Sequence, residues 1–381
     1  MREFDIVICG AGIAGASLAW QLAGRARVLL LEREAQPGMH STGRSAALFM
    51  PSYGPPQVRA LTRASRTFYT QPPAGFTELP LLRPRGVLHL AMASQQALLD
   101  ASWADMQAAG QAVQRISALQ ALALVPCLRA DAVAGAIAEA DAMDIDVHAL
   151  HQGFLRGARA GGATVQCDAE LLSAQPCAGV GTSPGGWTLQ LADGAVLQTA
   201  TLVNAAGAWA DLLAQCCGVA PLGLEPRRRS AFTFDAPAGV DPSAWPAVVA
   251  IDETWYFKPD AGRLLGSPAN ADPTYPHDVQ PEALDIARGI HGITQATTLP
   301  IRRPTSTWAG LRTFAADGEI VIGFDAGAPG FFWLAGQGGY GLQSAAGASA
   351  LAAALVLGEP LPAQLLAEGV VPAAVSPQRL R

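Results

Sequence analysis

Three glycines at fixed spacing carry the first chemical signal. Gly10-Ala11-Gly12-Ile13-Ala14-Gly15 follows the apolar run Phe4–Cys9 and precedes a helix-like stretch, Ala16–Gly24. Arg27–Leu31 is a second apolar run, and Glu32 ends it 22 residues after the first glycine. Strand, GxGxxG, helix, strand and acid together make the dinucleotide fingerprint. Gly10 allows a tight turn, Gly12 lets the backbone approach a pyrophosphate, and Gly15 lets helix and strand pack closely. The helix start, with Ile13 and Ala14, offers N–H groups and a partial positive charge to phosphates. Glu32 can accept bonds from ribose hydroxyls, with Arg33 beside it. A second glycine group, Gly336-Gln337-Gly338-Gly339-Tyr340-Gly341, lets a backbone run against a flat ring, and the helix after it would aim its positive end at that ring. The six histidines and six cysteines show no metal-ligand spacing, so no metal is expected and the cysteines read as free buried thiols in a reducing cytosol.

The elements that must position these residues suggest an interleaved chain. Thr201–Asn204 is another buried strand and leads into Gly207-Ala208-Trp209. Glu319–Gly323 is a third return, followed by Phe331–Ala335 and the Ala-rich helix Leu342–Leu357. A fingerprint at the first residues with later returns to one sheet favours FAD over NAD. The expected fold class is α/β, in the sense of an α+β two-domain flavoprotein. A Rossmann-like FAD-binding domain would be built from 1–80, 148–220 and 305–381. A mostly antiparallel-sheet substrate domain would be built from 81–147 and 221–304. Its strand candidates are Arg85–Met92, Ser230–Phe234, Ala247–Ile251, Trp255–Lys258 and Arg263–Gly266, and its helix candidates are Ser94–Ala109 and Pro281–Gln295.

Composition narrows the function classes. Half of the 381 residues are hydrophobic and 15% are charged, against about 25% in ordinary soluble domains. That excludes a disordered chain. A net charge of −6 argues against a nucleic-acid surface. Lys258 is the only lysine among 25 basic residues, and arginine is the better fork for carboxylates. The uncharged stretch Ala326–Gly358 is broken by Pro329 and glycines. Its helix-like part is shorter than the roughly 20 residues a bilayer needs. No transmembrane segment is expected, and with no signal peptide evident the expected location is cytoplasmic.

With these returns in view the chain resembles the D-amino-acid oxidase-like (DAO) family of FAD-dependent oxidoreductases, over nearly its whole length. The likeness rests on Glu32-Arg33-Glu34-Ala35-Gln36-Pro37-Gly38, His40 to Ala47, Trp308-Ala309-Gly310-Leu311-Arg312, and Gly336 to Gly341. It implies non-covalent FAD and oxidation of D-amino acids, by hydride transfer from Cα to flavin N5, to imines that hydrolyse to 2-oxo acids and ammonia. Ser41, Thr42, Arg44, Ser45, Ala46 and Ala47 would hold phosphate and the flavin edge. By the same resemblance Leu171 lies at the adenine, and Gly207, Trp209, Gly310, Gly336, Gln337, Gly338, Tyr340, Gly341 and Gln343 complete the cofactor set. Arg312 would fork the substrate carboxylate, with Arg229 and Tyr256 as further partners. Tyr53 would lie over the substrate, and the Gly339 carbonyl would take an amine N–H.

The strongest likeness is to the family's D-arginine dehydrogenases, which carry a glutamate at the position of Val87 and a histidine at that of Leu48. Both places are apolar here, and Met50, Ala247 and Val249 would extend an apolar wall. The expected substrate is therefore a D-amino acid with an apolar side chain. Glycine, N-methyl or cyclic amino acids and 2-hydroxy acids remain same-fold alternatives, and a non-catalytic flavin-binding regulator is a third reading. The electron acceptor is left open.

Overall fold

The computed structural model describes residues 2–180 and 183–381. One sheet has the strand order Leu171–Val180, Ser183–Leu191, Val196–Asn204, Arg2–Cys9, Val28–Leu31, Thr164–Gln166. Arg2–Cys9 lies parallel to both of its neighbours. Val196–Asn204 changes partner along its length. Its first half pairs antiparallel with Trp187–Gln190, and its end pairs parallel with Phe331–Trp333. Val321–Phe324 lies beyond, antiparallel to Phe331–Ala335.

This sheet is covered on both faces, which explains its unbroken apolar runs. Ile6, Ile8, Val28 and Leu30 pack under the helices Ile13–Leu22, Pro56–Thr70, Val147–Ala160 and Gly341–Leu357. Val7, Cys9, Leu29 and Leu31 pack on the other side with Trp187, Leu189 and Trp333. Gly10 has φ of 103°, and a Cβ there would lie 2.4 Å from the Ala205 carbonyl oxygen. A Cβ at Gly15 would lie 1.9 Å from the Gly10 carbonyl oxygen.

A second sheet runs Asp272–Pro273, Glu225–Phe234, Arg263–Ser267, Tyr256–Asp260, Ala247–Ala250, Val87–Met92, Val133–Glu139, Gln114–Ser117. It is antiparallel except where Ala247–Ala250 meets Val87–Met92. Three short strands, Leu48–Phe49, Met143–Ile145 and Leu82–Pro84, form a small third sheet.

The observed elements differ from expectation in three ways. The first helix starts at Ile13, earlier than the Ala16 expected, because the chain turns straight from the glycines into the helix. The helices Pro56–Thr70 and Val147–Ala160 and the hairpin Leu171–Val180/Ser183–Leu191 had no expected counterpart. Ser306–Phe314 falls within the 305–381 stretch assigned to the FAD-binding unit, yet it pairs with Glu225–Phe234 in the second sheet, from Glu225 opposite Phe314 to Thr233 opposite Ser306. Its alternate residues Ala309, Leu311 and Thr313 are buried, the pattern of a half-buried antiparallel strand. No helix of the described residues is long and apolar enough to cross a membrane.

The glycine geometry separates two neighbouring substitutions. Gly15→Ala must displace a backbone carbonyl and should cost about 1–3 kcal/mol or more. Gly12→Ala would meet only the Thr42 hydroxyl at 3.3 Å, so its melting temperature should stay near wild type. Calorimetry checks this. Equal losses in the two variants would contradict the packing account.

Candidate active site

A cavity of about 570 Å³ runs between the two sheets. At one end its lining holds Glu32, Arg33, Ala169, Glu170, Leu171 and Trp209. Its middle is lined by Gly10, Gly12, Ile13, Ala14, Ser41, Thr42, Ser45, Ala46 and Gly207, and its far end by Gly310, Arg312, Gly336 to Gly339, Gly341, Arg229 and Tyr256. The Arg33 guanidinium lies 4.2 Å from the Trp209 ring centroid, a cation–π contact.

The lining suits a dinucleotide bearing a flat ring. The side chains missing at Gly10 and Gly12 leave backbone exposed at the helix start, and Gly12 caps that helix with no side chain. Glu32 accepts the Ala11 N–H at 3.0 Å and the Glu34 N–H at 3.1 Å, which fixes its carboxylate at the cavity wall. Gln337 lines the cavity, and its side-chain nitrogen is buried with no hydrogen-bond partner. The helix Gly341–Leu357 begins there on the uncapped Tyr340, with its positive end at the cavity.

The arginines define the other end. Arg227 stands opposite Arg312, and Gly310 opposite Arg229, across the antiparallel pair Glu225–Phe234/Ser306–Phe314. Directly opposed residues share a sheet face, so Arg229 and Arg312 project on one side as diagonal neighbours. The three consecutive arginines differ in their partners. Arg227 bonds Glu225 and covers the Phe314 ring, and Arg228, on the opposite face, meets Asp272, Glu282 and Asp285. Among the described residues neither Arg229 nor Arg312 has an acidic partner within 4.0 Å. Arg229 donates from Nε to the Asn270 carbonyl at 2.5 Å. Burial, and then the Arg312 charge, hold the Arg229 guanidinium down at about 10. A Cβ on Gly339 would lie 2.7 Å from Arg312 Nη1, so the glycine backbone lies directly on that guanidinium.

The apolar candidates collect nearby. Met50, Val87 and Ala247 are buried together with Ala142, flanked by the partly buried Leu48, Tyr53 and Val249. They form a packed cluster beside the cavity and are not part of its lining. The Tyr53 and Tyr340 rings meet edge to face at 5.1 Å. Burial, and then neighbouring Tyr53, raise the Tyr340 hydroxyl above its ordinary range.

Several expected cofactor contacts have other engagements. Arg44 lines the cavity, and its guanidinium bonds the carbonyls of Met39, Val279 and Ala309 and the Asp278 carboxylate, so it also ties its loop to the second sheet. Gln343 accepts the Met50 N–H and donates to the Tyr53 carbonyl and the Thr62 hydroxyl, so it holds the Tyr53 turn. Ala47 lies outside the lining, where its carbonyl accepts the Ile145 N–H at 3.2 Å, and Gly15 lies behind Gly10. All six cysteines are free, but only Cys9, Cys127 and Cys217 are fully buried. Sequence reasoning missed Glu139, a buried carboxylate beside His89, and Asn270, whose carbonyl meets Arg229.

Fold and cavity together describe a dinucleotide-sized site with two arginines free of acidic partners at one end. The sequence profile of the family described as FAD dependent oxidoreductase (DAO) matches residues 5–355. The chain belongs to this DAO family of FAD-dependent oxidoreductases. Similar solved structures include glycine oxidase from Geobacillus kaustophilus, with 22% identity, 94% of this chain and 96% of that one covered, and a TM-score of 0.81. L-proline dehydrogenase from P. horikoshii is 20% identical, with 99% and 98% covered and a TM-score of 0.81. A dithionite-reduced L-alpha-glycerophosphate oxidase from Mycoplasma pneumoniae with FAD bound is 16% identical, with 94% and 95% covered and a TM-score of 0.82.

The unpaired Arg229 charge has a thermodynamic signature. Its folded value of about 10 lies below the ordinary 12.5, so folding disfavours the cation. The penalty is full below about pH 10, where both folded and unfolded chains carry the charge, and fades as pH rises toward the unfolded value. At neutral pH, Arg229→Met should therefore melt at or above the wild-type temperature, because replacing a poorly compensated buried charge is neutral or stabilising by about 1–4 kcal/mol. The same variant should lose the stabilisation that an added carboxylate gives the wild type. A drop of several degrees without ligand would show that the cation has a structural partner.

Proposed function

We propose that the chain oxidises the α-amine of a free D-amino acid with an apolar side chain, using non-covalently held FAD. The observation that carries this reading is the half-buried pair Arg229 and Arg312, free of acids within 4.0 Å among the described residues and set beside an apolar cluster. A bound flavin supplies the acceptor for the Cα hydride. Arg312 grips the substrate carboxylate as a fork, Arg229 holds its second edge, and the Tyr256 hydroxyl adds a third bond. Each charge-assisted bond contributes about 1.5–3 kcal/mol. The Gly339 carbonyl receives the amine N–H, which orients the Cα–H bond. Orientation is a large share of such a rate.

Among the described residues no lysine lines the cavity, and its one histidine, His40, turns its ring to Glu34 and Trp209. Lys258 is engaged with Asp144 at 2.7 Å. The substrate amine therefore delivers its proton to solvent before the Cα–H bond breaks, and the product imine hydrolyses to the 2-oxo acid and ammonia.

Although packed and outside the lining, the cluster of Val87, Met50, Ala247, Leu48 and Val249 would give a Leu-, Met- or Phe-like side chain directed toward it apolar neighbours. A guanidinium there would lose water without gaining a partner, and an extra buried CH₂ group returns only about 0.8 kcal/mol. One observation favours a second reading, a basic side chain. Glu139 stands opposite Val87 in the strand pairing and so shares its face.

Steady-state rates with an artificial electron acceptor decide between these readings. D-Leu, D-Met and D-Phe should exceed D-Arg and D-Lys, and the reverse order would transfer the assignment to the second reading. Turnover of 2-hydroxy acids alone would overturn both. Arg312→Ala should lower kcat/KM by roughly 10²–10³, as expected for an orphaned ligand charge. Arg312→Lys should recover little, because a point charge cannot reproduce the fork. Acid precipitation should release the flavin into the supernatant, and flavin retained in the pellet would contradict non-covalent binding.

A further inference from the structure

The cluster around Glu139 has no part in the leading reading above, yet it is an expensive arrangement to bury. Glu139 is the last residue of the strand Val133–Glu139 and is 2% exposed. Its pairing with Val87 puts it on the face that also carries His89, two residues farther along. Its one ion-pairing neighbour among the described residues is His89, with Nε2 at 3.8 Å and no hydrogen-bond partner. A buried carboxylate without a close cation is costly unless hydrogen bonds hold it.

Those bonds come from a single residue. The Ser52 backbone N–H donates to Glu139 Oε1 at 3.1 Å, and the Ser52 hydroxyl donates to Oε2. The Ser52 carbonyl accepts from Gln111 Nε2 at 3.3 Å. Ser52 is thus held from the side of the second sheet through its N–H, hydroxyl and carbonyl. The same turn is held from the opposite side. Gln343, on the helix that starts at the glycine segment, accepts the Met50 N–H at 3.3 Å and donates to the Tyr53 carbonyl at 3.2 Å. Tyr53 N–H closes the turn on the Met50 carbonyl at 3.1 Å. Gly54, at φ of 102°, lies against the Tyr340 ring. From this turn the Tyr53 ring meets the Tyr340 ring, and it lies within electrostatic range of Arg229.

We propose that Glu139 is a positioning residue of the substrate site, fixing the Tyr53 ring beside the arginine pair through its two bonds to Ser52. A solvated loop would need no buried carboxylate, whereas a turn that must hold one ring over a substrate benefits from a rigid, charge-assisted anchor. The assignment rests on the proposed amino-acid reading for its kinetic consequence, but its structural consequence does not.

The test uses the FAD-loaded protein with Glu139→Gln, which keeps the shape but loses an acceptor and the charge, and Ser52→Ala, which removes only the hydroxyl. Hydrogen exchange of peptides spanning residues 48–56 should accelerate in both variants while flavin content stays at wild type. Unchanged exchange in both would overturn the assignment whatever the substrate proves to be. With the best amino-acid substrate, KM should rise about tenfold in Glu139→Gln with kcat within about threefold, the scale of one lost bond to a charged acceptor. In a Tyr53→Ala background the same substitution should change KM less than about twofold, since double-mutant cycles expose residues that act through one another. An equal KM effect in both backgrounds would overturn the assignment by showing that Glu139 acts without Tyr53. If no amino acid is turned over, the amino-acid reading fails and the exchange measurement alone decides the positioning role.

Discussion

Two half-buried cations on one cavity wall, with no acid beside them, set the terms for the rest of this molecule. Arg229 and Arg312 repel one another, and water has been removed from Arg229. Such a pair persists only where the backbone leaves it no escape. The strand pairing supplies that constraint. Gly310 opposite Arg229 leaves room for Arg44, whose Cβ a Cβ there would meet at 3.2 Å, and Arg227 opposite Arg312 turns to Glu225 and Phe314. Arg228, on the other face, is held by a separate set of carboxylates, one of which, Asp285, also accepts from Ser230 and Asn270. The Asn270 carbonyl then fixes Arg229 from behind. Two of three consecutive arginines are satisfied by protein acids, and the one left without is the one that faces the cavity.

Because the clamp belongs to the second sheet and the cofactor cradle to the first, the two have to be locked together. Arg44 does much of this. From the loop after the first βαβ unit it bonds the Ala309 and Val279 carbonyls, and its own carbonyl accepts the Trp308 indole N–H at 3.0 Å. Ser41 donates to the Leu311 carbonyl at 2.6 Å. The strand carrying Arg312 is therefore anchored to the loop at the middle of the cavity. From the other direction, the Gly338 N–H bonds the Thr313 carbonyl at 2.7 Å, which sets the glycine segment against Arg312. The relative placement of the glycine segment and the arginine pair is fixed by backbone contacts on both sides, which suits the proposed hydride transfer, since that depends on orientation.

The local parts of this design were legible in the sequence because each rests on a short-range rule. The GxGxxG turn, the acid after the second strand, the apolar parallel strands and the glycine segment before the Ala-rich helix are read from neighbours in sequence. The parts that were not legible depend on partners far along the chain. Ser306–Phe314 was assigned with its sequence neighbours, although its pairing partner lies some eighty residues earlier. Glu139, a lone acid at a strand end, reads as solvated until burial and Ser52 are seen. Gln343 was placed in the cofactor set by resemblance, but its amide faces the Tyr53 turn. Arg44 was read with its loop as a cofactor contact, and it lines the cavity while its guanidinium also meets carbonyls from the other sheet. In each case residue type indicated a polar role correctly, and only the tertiary partner determined which role.

The central claim is that the acid-free arginine pair exists to hold a substrate carboxylate beside the flavin. It is tested most directly by comparing D-leucine with D-leucinamide in an anaerobic flavin-bleaching measurement. The two share the α-amino carbon and the side chain, and the amide lacks the negative charge that the arginines are meant to receive. The account predicts that D-leucine bleaches the flavin and that the amide does so more slowly by about a hundredfold or more, the scale of losing a bidentate, buried charge pair. Equal bleaching by acid and amide would contradict it and leave Arg229 and Arg312 without a role in substrate binding.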